Sequence, residues 1–315
     1  MNPLAVRLGP LELRNPILTA SGTFGYGLEF TDFVDLSKLG GLCTKGLSLE
    51  PHAGNAPPRI CETPAGMLNA IGLQNVGVEA FLAEKLPKLR ALGATVIANV
   101  WGDLEEDYVT VVEALEEAEG LAAVELNISC PNVSRGGMLF GNSPTLTASL
   151  VAKVRAATRR PLIVKLSPNA PDLVLSARAA RDAGADVLSL INTVVGMAID
   201  PETAKPRISF GTGGLSGPAI KPIAVRMVYQ VARALPGVPL MGIGGIARLE
   251  DVLEFLAAGA SAVQVGTASF RDPGVSGRLV EELATYCIAR GATAASLVGR
   301  AHAGGRPAAE AGAEG

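Results

Sequence analysis

The chain has 315 residues, of which 48% are hydrophobic and 18% charged, and its formal net charge is −3. This composition excludes an intrinsically disordered chain, and the slight acidity excludes the basic surface of a typical nucleic-acid-binding protein. The sequence predicts neither a membrane span nor a signal peptide, because it has no apolar run of about 18 residues and no basic segment at its start.

Short apolar runs alternate with longer amphipathic segments along almost the whole chain. A small hairpin is predicted over residues 7–14, turning at Gly9-Pro10. Eight strands rich in Val, Ile and Leu are predicted over residues 16–20, 41–45, 95–100, 122–129, 161–167, 186–192, 239–244 and 262–267. Helices are predicted between them over residues 78–92, 105–119, 145–158, 171–183, 218–234, 250–258 and 276–289.

This alternation predicts a single α/β domain over residues 1–300, built as a (β/α)8 TIM barrel whose floor is covered by the N-terminal hairpin. An open, doubly wound sheet is the alternative. Residues 50–75 are rich in Pro, Gly and Asn and are too long for a plain connection, so we expect them to be an inserted loop that builds part of the site. Residues 301–315 are rich in Ala, Gly and Glu, which predicts a mobile tail.

The four cysteines, Cys43, Cys61, Cys130 and Cys287, lie far apart in the sequence. This spacing argues against an iron–sulfur cluster or a structural zinc held by this chain alone, and it predicts a cytoplasmic protein with reduced thiols. Cys43 and Cys287 have apolar neighbours and are interpreted as inert core residues. Cys130 differs, because it follows a strand in a polar loop, Ser129-Cys130-Pro131-Asn132, where a chemical role is expected.

Polar residues and glycines recur where the predicted strands end, at the face on which barrel enzymes carry their active sites. These strand ends are Ala20-Ser21-Gly22, Lys45-Gly46, Asn99, Asn127, Lys165, Asn192-Thr193, Gly242-Ile243-Gly244-Gly245 and Gly266-Thr267. Asparagine both donates and accepts, which suits a flat heterocycle with alternating C=O and N–H groups. Glycine turns after the last two strands are the usual phosphate site of such barrels, so the pattern favours a nucleotide-like cofactor, and FMN fits.

Each of these residues also has a simpler structural interpretation. The glycines could form only tight turns, Lys165 and Lys45 could extend to solvent, and the asparagines could be turn residues. No metal site is predicted, because His52 and His302 have no second ligand nearby in the sequence.

The motif ELNISCPNVSRGGMLFG, residues 125–141, resembles the catalytic loop of the soluble, class 1 dihydroorotate dehydrogenases. The similarity continues through NPILTASGTFGYG (15–27), TKG (44–46), NAIGLQN (69–75), VKLSPN (164–169), INTVVGMAID (191–200), GGLSGPAIKPIAVRMV (213–228) and GIGGI (242–246). Class 2 enzymes use serine as the base, so Cys130 favours class 1. The Cys-Pro-Asn-Val loop with Arg-Gly-Gly resembles the NAD-linked class 1B branch more than the fumarate-linked class 1A branch.

The resemblance implies oxidation of dihydroorotate to orotate in pyrimidine biosynthesis, with Cys130 removing the C5 proton and the C6 hydride passing to N5 of FMN. It implies that the substrate is held by Lys45, Asn69, Ile71, Gly72, Leu73, Asn127, Asn132, Asn192 and Thr193. It implies that FMN is surrounded by Ala20, Ser21, Lys45, Asn99, Asn127, Lys165, Ile191, Gly217, Gly244, Gly245, Gly266 and Thr267. Residues 131–142, glycine-rich in the middle, could close over the site as a lid.

The class 1B resemblance also implies a partner. A homodimer of this chain would bind two electron-transfer subunits that carry FAD and a [2Fe–2S] centre, which gives a heterotetramer. Other candidates are a dihydropyrimidine dehydrogenase-like flavoenzyme, a Schiff-base lyase or aldolase using Lys165 or Lys45, and a flavin carrier without activity. Fumarate or a soluble quinone also stays open as the electron acceptor.

Overall fold

The computed structural model describes residues 2–128 and 137–303, apart from the side chains of 137–139. Its strands are β1 Val6–Leu8, β2 Leu11–Leu13, β3 Ile17–Thr19, β4 Gly41–Cys43, β5 Ile60–Thr63, β6 Gly66–Asn69, β7 Val96–Val100, β8 Leu121–Asn127, β9 Leu162–Lys165, β10 Val187–Leu190, β11 Val194–Met197, β12 Thr212–Ser216, β13 Leu240–Ile243 and β14 Ala262–Val265. Strands β3, β4, β7, β8, β9, β10, β13 and β14 form a closed barrel in that order, and all neighbours are parallel.

The closed barrel confirms the predicted (β/α)8 fold and rules out the open sheet. Every residue of the shorter barrel strands β3, β4, β9, β10, β13 and β14 is buried. Parallel strands covered on both faces need such continuous apolar runs, which explains why the sequence predicted all eight of them. The register pairs Asn127 with Lys165, so the carboxyl ends of β8 and β9 lie side by side.

The helices are α1 Val78–Ala80, α2 Leu86–Ala91, α3 Glu105–Glu116, α4 Gly137–Asn142, α5 Pro144–Ala157, α6 Leu173–Asp182, α7 Lys221–Ala234, α8 Leu249–Ala257, α9 Val275–Arg290, α10 Ala294–Leu297 and α11 Arg300–Ala303. One predicted helix, over residues 78–92, is interrupted by a π-helical turn at Phe81–Lys85. Pro87 at the start of α2 has no N–H to donate to the preceding turn, and the Leu86 N–H donates to the Phe81 carbonyl instead. No helix in the described part of the chain is both long and apolar enough to cross a bilayer.

The inserted segment after β4 holds more structure than the predicted loop. Its strands β5 and β6 pair with β12 and β11 in a four-stranded antiparallel sheet outside the barrel, in the order β11-β12-β6-β5. This sheet was not predicted from the sequence, because its strands are short and its two halves, β5–β6 and β11–β12, are separated by more than a hundred residues along the chain. The sheet adds a second wall above the mouth of the barrel.

The N-terminal hairpin and helix α11, the last described helix, lie outside the repeat and contact it. The predicted hairpin is formed by β1 and β2, and its turn lies against the start of β10, where a Cβ on Gly9 would be 3.1 Å from the Asp186 carbonyl oxygen. Residues 301–303, at the start of the predicted tail, belong to helix α11. The ring of His302 stacks on Tyr229 at a centroid distance of 4.2 Å. The remainder of the tail lies outside the described residues.

Candidate active site

Two adjoining cavities open at the carboxyl ends of the barrel strands. The larger has a volume of about 280 Å³ and the smaller about 70 Å³. Both are lined by Ser21, Thr23, Asn192, Thr193 and Ser216, so they form one continuous site. The larger cavity contains what we call the amide half: Lys45, Asn69, Asn99, Asn127, Asn192 and Thr193. The smaller contains the glycine half: Gly217, Gly244, Gly245, Gly266 and Thr267.

Lys165 ends strand β9 and points into the smaller cavity. It is only 4% exposed, which rules out the interpretation that it extends to solvent. Its Nζ donates to Ser21 Oγ at 3.3 Å, and among the described residues no carboxylate lies within ion-pair distance of it. A buried ammonium group without a counter-ion is unfavourable, so this position favours an anionic ligand or a ligand that becomes anionic.

Lys45 follows strand β4 and lines the larger cavity. Burial lowers the pKa of its ammonium group, and the positive charge of Arg59 lowers it further, while Glu29 acts in the opposite direction. A carboxylate ligand beside Lys45 would offset both unfavourable effects. The second lysine of the site therefore also favours a negatively charged group.

The asparagines of the amide half are held by hydrogen bonds rather than by turns. Asn192 Nδ2 donates to Asn127 Oδ1 at 3.2 Å, and the Asn127 carbonyl accepts from the buried Tyr108 hydroxyl at 2.9 Å. Asn69 reaches the site from the outer sheet, where its Nδ2 donates to the Gly214 carbonyl at 3.2 Å. These contacts fix the amides around the cavity and argue against the simpler interpretation of turn residues.

The glycine half depends on backbone conformation. Gly245 has a φ of +73°, and a Cβ there would lie 2.8 Å from the Gly217 carbonyl oxygen and 2.7 Å from Lys221 Cβ. Only glycine fits such a position without movement of the backbone. The turn after Gly245 is held by buried Asp251, which accepts from the N–H groups of Ala247 and Arg248 at 2.9 and 3.0 Å.

A buried carboxylate lies in the barrel beneath the amide half. Glu125 of β8 is fully buried, and its Oε1 accepts from Asn99 Nδ2 at 2.8 Å and Cys43 Sγ at 3.1 Å. Its Oε2 accepts from Ser189 Oγ at 2.8 Å and Gln264 Nε2 at 2.9 Å. Sequence analysis assigned no role to Glu125, although a charged residue inside an apolar strand was a signal that could have been used.

All the described residues predicted for the site line one or both cavities, including Ala20, Ile191, Ile71, Gly72 and Leu73. Cys130 and Asn132, together with most of the predicted lid, lie outside the described residues. Further lining residues that sequence analysis missed are Thr23, Ile60, Met67, Ser216 and Phe270. Three of these, Ile60, Met67 and Ser216, come from the outer sheet that the sequence did not reveal.

Comparison with known proteins identifies the family. The family model described as dihydroorotate dehydrogenase matches residues 3–286. The chain is 57% identical to the dihydroorotate dehydrogenase B (NAD(+)) catalytic subunit of Pelobacter propionicus, over 94% of this chain and 97% of the relative. It is 55% identical, with the same coverage, to a putative dihydroorotate dehydrogenase A (fumarate) of Solibacter usitatus.

A solved structure shares the fold. The crystal structure of Eimeria tenella DHODH in complex with ferulenol matches with a TM-score of 0.79 at 22% identity, over 96% of this chain and 89% of the other. The Schiff-base lyase and the flavin carrier are disfavoured by the family match rather than by the barrel, which many enzymes share. The chain belongs to the dihydroorotate dehydrogenase family.

Proposed function

We propose that this chain oxidises dihydroorotate to orotate in pyrimidine biosynthesis, with FMN as its bound cofactor. The observation that carries the proposal is the convergence of buried Lys165, the amide half and the glycine half on one site in a member of a family that is FMN-dependent in general. When bound, FMN would supply the hydride acceptor for C6 of the substrate. The cytoplasm is the expected location, since no disulfide pairing is expected from the separated cysteines.

The residues of the site fit FMN. Asn99 Oδ1 is a buried acceptor without a partner among the described residues, and Lys165 is a buried cation without a counter-ion there. A polar ring with both N–H and C=O groups would satisfy both, and Lys165 would stabilise negative charge on the ring. The glycine half would hold the phosphate through backbone N–H groups, and the proposed FMN contacts are Ala20, Ser21, Lys45, Asn99, Asn127, Lys165, Ile191, Gly217, Gly244, Gly245, Gly266 and Thr267.

The amide half suits dihydroorotate. Its ring alternates C=O and N–H groups, which match asparagine amides, and its carboxylate gives Lys45 an anionic partner. Uracil lacks that carboxylate, so Lys45 favours dihydroorotate over the substrate of a dihydropyrimidine dehydrogenase. The proposed substrate contacts are Lys45, Asn69, Ile71, Gly72, Leu73, Asn127, Asn132, Asn192 and Thr193.

Cys130 is proposed as the base that removes the C5 proton. This proton is weakly acidic, so the base needs a pKa within reach of neutrality, and a free thiol at about 8.5 meets this better than a serine hydroxyl. Support comes from the motif and from its sequence position three residues after Asn127, which ends β8 and lines the cavity. Asparagine contacts would hold the planar substrate in a fixed orientation for this transfer.

Absorbance spectroscopy tests the cofactor and the reaction together. Purified protein should be yellow, hold one FMN per chain, and lose its flavin absorbance on anaerobic addition of dihydroorotate. The Cys130→Ser variant should bind FMN normally yet reduce it about 10²–10⁴-fold more slowly, with improvement at higher pH. A protein that gains no flavin on reconstitution, or a variant with near-normal reduction at pH 7, would contradict the proposal.

Electron transfer to NAD is proposed to need a second subunit with FAD and a [2Fe–2S] centre, in an assembly of two copies of each chain. Support comes from a relative that is named the catalytic subunit of an NAD(+) enzyme and from the lack of a G-x-G-x-x-G dinucleotide motif in the sequence. The isolated chain should reduce an artificial dye but pass almost nothing to NAD. Efficient NAD reduction by this chain alone, or efficient fumarate reduction, would overturn this part.

A further inference from the structure

Glu125 accepts hydrogen bonds from neighbours on four other strands of the barrel. Its four partners, from strands β4, β7, β10 and β14, all donate to it. Burial, followed by the negative charge of Glu125, raises the pKa of the Cys43 thiol, which keeps that group protonated as a donor.

This carboxylate determines which way the Asn99 amide faces. An asparagine amide can rotate by half a turn, which exchanges its donor and acceptor ends at almost equal shape. Because Nδ2 donates to Glu125 Oε1 at 2.8 Å, Oδ1 must face the other way. A Cβ on cavity-lining Gly46 would lie 3.0 Å from Oδ1, so the acceptor lies at the wall of the larger cavity.

We propose that Glu125 is a positioning residue that holds Asn99 Oδ1 toward the cavity, so that the site accepts a ring N–H group at that point and disfavours a ring carbonyl. The inference rests on the proposed FMN site. Oxidised FMN carries one ring N–H, at N3 between two carbonyl groups, and Asn99 is the acceptor for it. If the amide turned over, its Nδ2 would face that N–H and both donors would lose their acceptor.

Two substitutions distinguish a role of Glu125 in orienting Asn99 from a role in filling space in the barrel. Glu125→Met keeps the volume but gives Asn99 no acceptor. Glu125→Gln keeps an acceptor, because its carbonyl can face Asn99 while its amide nitrogen faces Ser189 and Gln264. The Ser189 hydroxyl can also accept, and the Gln264 amide can turn over to present its Oε1, which has no partner among the described residues. Glu125→Gln should therefore restore what Glu125→Met loses.

The test is a titration of apo-protein with FMN, followed by flavin fluorescence. Glu125→Met should weaken FMN binding about tenfold or more, because a buried acceptor is no longer held in place, and Glu125→Gln should stay within about threefold of wild type. In an Asn99→Ala background, Glu125→Met should weaken binding by less than about twofold. The proposal would be overturned if Glu125→Met reduced FMN affinity equally in the wild-type and Asn99→Ala backgrounds. It would also be overturned if Glu125→Met and Glu125→Gln reduced FMN affinity equally.

A matched control and a measurement without FMN complete the design. Ser189→Ala removes a donor from the far oxygen of Glu125, so apo-protein stability should fall while FMN affinity changes less than about twofold. In ligand-free wild type with ¹⁵N-labelled asparagine, the Asn99 side-chain amide protons, assigned by their loss in Asn99→Ala, should exchange at least about tenfold more slowly than solvent-exposed amides. Fast exchange of the Asn99 amide protons would refute the proposed orientation of Asn99, whether or not FMN binds. Slow exchange in wild-type protein that binds no FMN would contradict the proposed function but not the orientation.

Discussion

The two halves of the site are specified in different ways. In the amide half, side chains such as Asn192 and Asn127 present polar atoms, and a network beneath them fixes their direction. In the glycine half, the recognition groups belong to the backbone. The sequence contributes mainly by placing glycines, which have no Cβ, at these positions. A substitution in the amide half should therefore remove individual hydrogen bonds. A substitution in the glycine half should displace the backbone and disrupt all of its contacts together.

The largest effect is expected from Gly245→Ala. The added Cβ would meet the Gly217 carbonyl and Lys221 at under 3 Å in a left-handed conformation. Backbone strain of about 1–2 kcal/mol and overpacking of about 1–3 kcal/mol would be relieved by movement of the turn away from its FMN-binding conformation. Restoring that conformation on binding should reduce FMN affinity about 100-fold or more. Fluorescence titration of apo-protein measures this loss.

Gly237 supplies the matched control. It also has a positive φ, +83°, but a Cβ there would meet nothing within 4 Å. Gly237→Ala should lower stability by about 1 kcal/mol and leave FMN affinity unchanged. If the two variants weaken FMN binding equally, the glycine half does not depend on the close approach at Gly245.

The second largest effect is expected from Lys165→Met, at the boundary between the halves. Removing a buried charge that would pair with FMN should reduce FMN affinity about 30-fold, and the flavin midpoint potential should fall because the anionic reduced form loses its cation. Lys153→Met is the control, since that lysine is 48% exposed, pairs with Glu105 and exposed Glu106, and lies outside both cavities of the site. An unchanged midpoint potential would assign Lys165 a structural role only.

Much of this arrangement could be predicted because parallel strands bring their carboxyl ends to one face. Asn99, Asn127 and Lys165 were identified from their positions at strand ends alone, and the glycine turns from their place after β13 and β14. The outer sheet could not be predicted, because β6 and β12 meet across more than a hundred residues of sequence. Glu125 could have been noticed as a charged residue in an apolar strand, but its partners could not be predicted, since Gln264 is 139 residues away. The role of Cys130 stays a prediction.

A smaller effect, confined to the amide half, is expected from Asn192→Ala. This change removes the donor to Asn127 Oδ1 and one amide that lines the larger cavity. The KM for dihydroorotate should rise about tenfold, from the loss of one or two hydrogen bonds, while FMN affinity changes less than about twofold. Steady-state kinetics with an artificial dye measure the first effect. A tenfold loss of FMN affinity as well would mean that the two halves of the site do not act separately. Asn2→Ala, a change at an exposed asparagine, provides the control.

The smallest effect on ligand binding is expected from Asp251→Asn, which loosens the support of the glycine half without entering the cavity. Burial alone would raise the pKa of Asp251, but hydrogen bonds from Lys221 and from the backbone at Ala247 and Arg248 outweigh it and lower the pKa. A carboxylate with a lowered folded-state pKa adds stability that is complete above its unfolded pKa of about 4 and is lost as the pH falls through the folded value. The free energy of unfolding in urea at pH 7 should therefore be about 1–3 kcal/mol higher for wild type than for Asp251→Asn, and this difference should shrink below about pH 4.

FMN affinity of Asp251→Asn should fall less than about threefold, because the turn keeps its glycines. Glu254→Gln, which changes the half-exposed second partner of Lys221, should alter stability by less than about 0.5 kcal/mol. A stability difference that grows toward acid pH would show that Asp251 is not stabilised as the anion, and the backbone turn would then be the sole support of the glycine half.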